Sequence, residues 1–154
     1  MKKRIVRSVK ILVLIVAVAL ICSGFTAAGE SADEIEASQL MQKRTEQMQR
    51  AMFKNSKYAD LYSGLSEIEV HPLLKEDMES ISEYSDSDLD KVVNMKIIDC
   101  RMTTKKATIR FYEIAVRWYM LGYGGYYTED ISYSVRTVMH GQKMFLSYIR
   151  PIYK

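Results

Sequence analysis

The chain has 154 residues, 48% of them hydrophobic and 27% charged, with two cysteines and a formal net charge of +3. Five of its 22 basic residues and none of its 19 acidic residues fall within residues 1–28, so the remainder carries −2. That balance speaks against a basic nucleic-acid-binding surface, and two cysteines are too few for a disulfide-stapled scaffold.

Residues 1–10 are basic, residues 11–21 are continuously apolar, and Thr26-Ala27-Ala28 offers small residues to a signal peptidase. This is the three-part layout of a secretory signal peptide, with cleavage expected after Ala28. Two alternatives stay open. Cys22 follows the apolar run as in a lipoprotein signal, although Ile21 stands where a small residue is wanted. The stretch from Ile11 to Gly29 is also free of charge, close to the roughly 20 residues that span a bilayer, so an uncleaved anchor with its basic end inside is the other reading. On every reading residues 29–154 leave the cytosol as one domain, secreted or held at the cell envelope in the bacterial manner. Membrane contact is expected only through an uncleaved leader. Once Cys22 departs with the leader, Cys100 has no intrachain partner and reads as a small buried hydrophobe.

Ser31-Ala-Asp-Glu34 has the form of a capping box and opens a helix predicted to run to about Asn55. Ile35, Ala37, Leu40, Met41, Met48 and Met52 make its apolar stripe, which is expected to cover a sheet. Lys57 to Tyr62 reads as a short helix stopped at Gly64, and Ser66 to Val70 as a short strand or turn. His71-Pro72 begins a helix to about Tyr84, with Leu73, Leu74, Met78 and Ile81 inward and Glu76, Asp77 and Glu79 outward. Asp86, Asp88 and Asp90 alternate like the start of a calcium loop. The match then fails, because Lys91 stands where glycine is needed and Ile97 where a bidentate glutamate belongs. The segment is read as a solvated turn. His71 and His140 stand apart, no zinc spacing occurs, and neither a metal nor another cofactor is expected.

From Lys91 onward β-branched and aromatic residues dominate, as suits a pleated, half-buried surface. A first strand is predicted over Lys91 to Met102, with Thr103 to Lys106 as its link to the next. In the run from Lys105 to Tyr119 the apolar parity passes from Ile109 and Phe111 to Ile114, Val116 and Trp118, which predicts a bend or bulge near Glu113. Ile131, Tyr133, Val135, Thr137 and Met139 share one face of the third strand. His140-Gly141 marks a turn, and Pro151 places the last strand at an edge or ends it.

Helices first and an antiparallel meander afterwards define an α+β fold, a long N-terminal helix and shorter helices packed on a curved four-stranded sheet. Over Ser31 to Tyr153 this element order, with Tyr58-Ala-Asp-Leu-Tyr-Ser-Gly64 as a short linking segment, resembles the nuclear transport factor 2-like superfamily and the related cystatin-like roll. The resemblance implies a cone-shaped pocket between helices and sheet. It implies little about activity, since that fold hosts isomerases, dehydratases and noncatalytic accessory domains. An isomerase or lyase there needs a pocket carboxylate or histidine base, for which Glu113 is the best carboxylate candidate, and an oxyanion partner, for which Tyr112 and Tyr133 are the candidate donors. The simpler reading of Glu113 is a surface group paired with Arg110, Arg117 or Arg136. Trp118, Tyr119, Tyr123, Tyr126 and Tyr127 cluster around Gly122-Tyr-Gly-Gly125 and read as a binding loop, because tyrosine offers contact area and a hydroxyl at low entropy cost. The expected function is a noncatalytic binding or accessory domain whose partner is a protein or a small apolar ligand. A small pocket enzyme and a membrane-anchored structural subunit are the alternatives.

Overall fold

The computed structural model describes residues 30–53, 58–84 and 91–153. The leader, the expected helix end at Asn55 and the acidic linker at residues 85–90 lie outside them. Three helices, α1 (Ala32–Phe53), α2 (Tyr58–Ser66) and α3 (Leu73–Tyr84), precede four strands, β1 (Lys91–Lys106), β2 (Ile109–Gly122), β3 (Gly125–His140) and β4 (Lys143–Pro151). The strands form one open antiparallel sheet in the order β1-β2-β3-β4. This is the α+β arrangement that the sequence predicts.

The capping box forms as expected. Ser31 Oγ accepts from the Glu34 amide at 3.3 Å, and Glu34 Oε2 accepts from the Ser31 amide at 2.7 Å. Ala37, Leu40 and Met41 are buried and Met48 packs at the edge of the core, so the stripe faces β1, β2 and β4. Burying one such side chain stabilises the fold by about 1.5–3 kcal/mol.

Two readings of the shorter helices need correction. α2 does not stop at Gly64 but runs through it to Ser66. A Cβ on Gly64 would lie 2.7 Å from Gln47 Oε1, so this glycine marks a close approach of α2 to α1. In α3, Leu73, Leu74, Met78 and Ile81 are buried as predicted, but Asp77 is buried with them. Arg44 on α1 supplies the reason, as described below. Between these helices Ile68 to Val70 lies along β4. The Leu146 amide donates to the Ile68 carbonyl at 2.8 Å, and the Val70 amide to the Leu146 carbonyl at 2.9 Å.

The bend or bulge expected near Glu113 does not form in β2. β2 keeps one parity throughout: Arg110, Tyr112, Ile114 and Val116 are buried, and the β2–β3 register is unbroken. The inward row therefore includes an arginine, while Ile109 and Phe111 lie on the outer face. β1 instead carries three register shifts, between Val92 and Asn94, Ile97 and Asp99, and Met102 and Thr104. Each inserts a residue and moves the inward row, so that Met95, Ile97, Cys100 and Met102 all turn toward the core. With these insertions β1 extends to Lys106. The expected link at Thr103 to Lys106 is strand, and the turn is Ala107-Thr108.

β3 buries Val135 and Thr137 and half-buries Tyr133 and Met139, on the predicted face. β4 is an edge strand that ends at Pro151, as expected. Cys100 is buried, its thiol donating to the Glu34 carbonyl at 3.4 Å. Where a cone-shaped pocket was expected, Tyr112, Ile114, Val116, Val135 and Leu146 fill the space between helices and sheet. Clefts open instead along the flanks of α1.

Candidate functional site

The five aromatic residues singled out in the sequence meet at one end of the β2–β3 hairpin, but not as a loop. β2 continues to Gly122, β3 begins at Gly125, and these two glycines pair across a turn of Tyr123 and Gly124. Only Gly125, at φ +109°, needs a glycine's freedom. The flanking tyrosines and Leu121 are strand residues, and β pairing draws the segment out straight.

The pleat then separates the set. Trp118 belongs to the core side, packing beside Met95. Its indole Nε1 donates to the Tyr133 hydroxyl at 3.0 Å, with the rings edge to face at 82°. Burial pushes the Tyr133 phenol pKa upward. Tyr119 pairs with Thr128 and is half-buried. Tyr123 and Tyr126 stand out at 110% and 78% relative exposure, and Tyr127 is 41% exposed. Below them Arg117 donates to both Asp130 oxygens at 2.7 and 2.6 Å, which holds the Asp130 carboxyl below its usual range.

Two clefts adjoin this end. One of about 520 Å³ runs between the second half of α1 and the start of β1, lined by Gln42, Gln49, Asn94, Leu121 and Tyr126 among others. The other, about 480 Å³, lies beside Val93, Tyr119 and Tyr127. The buried Gln49 Oε1 has no donor. The sequence offered no signal for Val93, Asn94 or Gln49, because the first two reach the tyrosines through the pairing of Lys91 with Leu121 and the third through the packing of α1 beside β1.

The residues considered for catalysis are dispersed. Glu113 lies on the outer face, where Arg101 Nη2 reaches its Oε2 at 3.3 Å. The arginines expected to serve it are engaged elsewhere: Arg110 with Asp33, Arg117 with Asp130, and Arg136 with Ser147. Tyr112 is buried with its hydroxyl 3.9 Å from Met144 Sδ, and burial pushes its pKa up to about 12. His71 and His140 are both exposed, and among the described residues no group of His, Cys, Asp and Glu is placed to hold a metal.

A buried ionic cluster joins three segments behind the sheet. Arg44 Nε and Nη2 donate to Asp77 Oδ2 and Oδ1, each at 2.6 Å. Glu69 Oε1 lies 3.2 Å from the same Nε, whose single hydrogen is already directed at Asp77. Both Glu69 oxygens are buried without a donor. Burial, and then the Asp77 charge, push the Glu69 pKa up to about 8 despite Arg44. That shift favours the protonated form of Glu69, in which the cluster holds one positive and one negative charge. Ionising it there would leave a second, unsolvated carboxylate, which costs several kcal/mol in a dry site.

The chain matches no protein-family model, and no curated protein matches it.

Proposed function

We propose that residues 30–153 form a noncatalytic binding domain of an exported or envelope-held protein, with the tyrosine end of the β2–β3 hairpin as its recognition surface. The observation that carries this reading is the exposure of Tyr123, Tyr126 and Tyr127 at one end of a paired two-strand frame, near the exposed Leu121 and Val93. Rigid aromatic anchors with few rotatable bonds lose little entropy on binding, and scattered single tyrosines would not need such a frame. The three-helix, antiparallel-sheet arrangement is compatible with the nuclear transport factor 2-like superfamily, whose folds include noncatalytic accessory domains. A pocket enzyme would depend on Glu113, and that carboxylate is paired with Arg101 on the outer face. Export rests on the leader sequence.

The test replaces Tyr123, Tyr126 and Tyr127 together by alanine in the full chain. Thermal stability is expected to stay within about 0.5 kcal/mol, as for surface positions, while retention on envelope extract from the source cells is lost. A fall in stability with unchanged retention would refute the recognition role.

A further inference from the structure

The two edges of the sheet are treated differently. β1 is broken by three bulges and carries Lys91, Lys96, Lys105 and Lys106, features that discourage another strand from pairing. β4 ends at Pro151, opposite Tyr133, and Ile68 to Val70 lies against Leu146. β3, however, starts eight residues before Tyr133, at Gly125. Its last bond on the β4 side is the Ser132 carbonyl accepting from the Ile152 amide at 2.8 Å. From Tyr126 to Asp130 the strand has β2 on one side and, among the described residues, no strand on the other, and all five residues are exposed. No bulge, lysine or proline interrupts it.

The direction of the backbone groups follows from two bonds. Ser132 points its carbonyl toward β4, whereas Met139 donates its amide to Thr108 on the β2 side at 2.7 Å. Even-numbered residues of β3 thus face the outer edge, so the N–H and C=O groups of Tyr126, Thr128 and Asp130 are presented there. A second β-strand is the chemistry that satisfies such a row.

We propose that this edge pairs with the same edge of a second copy of the chain, antiparallel about a two-fold axis through Thr128. This register is self-complementary. Thr128 meets Thr128, Tyr126 meets Asp130, and Tyr127 meets Glu129, so no like charges face each other and tyrosine hydroxyls meet carboxylates. Asp130 is already neutralised by Arg117. The paired residues form about six main-chain hydrogen bonds, and the two sheets continue as one across the axis. This inference rests on the reading of the hairpin end as an interaction surface, and names a second copy as the partner of its edge.

Sedimentation of the full chain over a range of concentrations tests it, alongside Thr128→Pro and Thr128→Lys. Proline removes an N–H directed at the edge and leaves the β2 ladder intact, and lysine sets two like charges on the axis. A reversible dimer is expected for the natural chain, and at least a tenfold weakening for both variants. If Thr128→Pro perturbs folding, Thr128→Lys alone decides. A monomer at all concentrations, or an association that both variants leave unchanged, would overturn the dimer. The first result would leave the tyrosine surface standing, since the triple alanine variant reports on that separately.

Discussion

Ala107 has a φ of +40°, the one positive value at a non-glycine among the described residues. It occupies the two-residue turn between Lys106 and Ile109, held in place by the bond from the Met139 amide to the Thr108 carbonyl. A side chain in this region costs about 1–2 kcal/mol, because Cβ crowds the next carbonyl. Ala107→Gly is expected to raise stability by about 1 kcal/mol, after allowance for a freer unfolded chain. Gly141 supplies the converse. Its φ is +64°, and a Cβ there would meet nothing within 4 Å. Gly141→Ala therefore isolates the backbone cost and should lower stability by about 1 kcal/mol. Calorimetric melting of both variants should show shifts of opposite sign, and a shared sign would refute the backbone account. The same contrast explains what the sequence revealed. His140-Gly141 is legible as a turn because glycine marks it. Lys106-Ala107 carries no such mark, and the turn was expected several residues too early.

At the scale of elements, one carboxylate fastens α1 to the sheet. Glu34 Oε2 caps its own helix at Ser31, while Oε1 accepts from the Met102 amide of β1 at 2.7 Å. Asp33 beside it accepts from Arg110 Nε at 2.7 Å and from Lys105 Nζ at 3.0 Å. Glu34→Ala should cost about 2 kcal/mol: roughly 1 for the cap and roughly 1 for a strand amide left without an acceptor. Ser31→Ala removes the cap alone, at about 1 kcal/mol, and Glu34→Gln should fall between the two. Urea unfolding of the three variants measures this. Equal losses for Glu34→Ala and Ser31→Ala would show that the Met102 bond contributes nothing. The capping box was legible because its four residues are contiguous. The second use of Glu34 was not, since it depends on bulges that bring Met102 round. Arg110 shows the same limit. Counted as polar, it makes the row of Tyr112, Ile114 and Val116 look exposed in its first half. Its burial is explained only by Asp33, 77 positions earlier in the chain. At the candidate site the tyrosines were legible as a cluster. Their straight, paired geometry and the neighbours from α1 and β1 depend on register, which composition does not encode.

For the whole molecule, these charges imply a stability maximum on the acid side of neutrality. Glu69 has a folded pKa raised from 4.5 to about 8, so the folded state binds its proton more tightly than the unfolded chain does. That contribution is complete below about pH 4.5 and is lost as pH rises to about 8, with a slope of up to about 1.4 kcal/mol per pH unit. Asp33 and Glu34 act in the other direction. The hydrogen bond from Arg110 lowers the first, and that from the Met102 amide lowers the second. Their stabilisation is present above their ordinary pKa values of 3.8 and 4.5 and is lost as pH falls below them. The two limbs meet near about pH 5. Urea midpoints measured from roughly pH 3 to 9 should trace this dome. Glu69→Gln, which cannot ionise, should flatten the limb above pH 5 and leave the acid limb unchanged. Because Ile68 and Val70 hold Leu146 on either side of Glu69, amide exchange at Leu146 should quicken over the same interval beyond its intrinsic base catalysis. Stability that is level or rising between pH 5 and 8 in the natural chain would mean that Glu69 is ionised, with Arg44 rather than a retained proton balancing it.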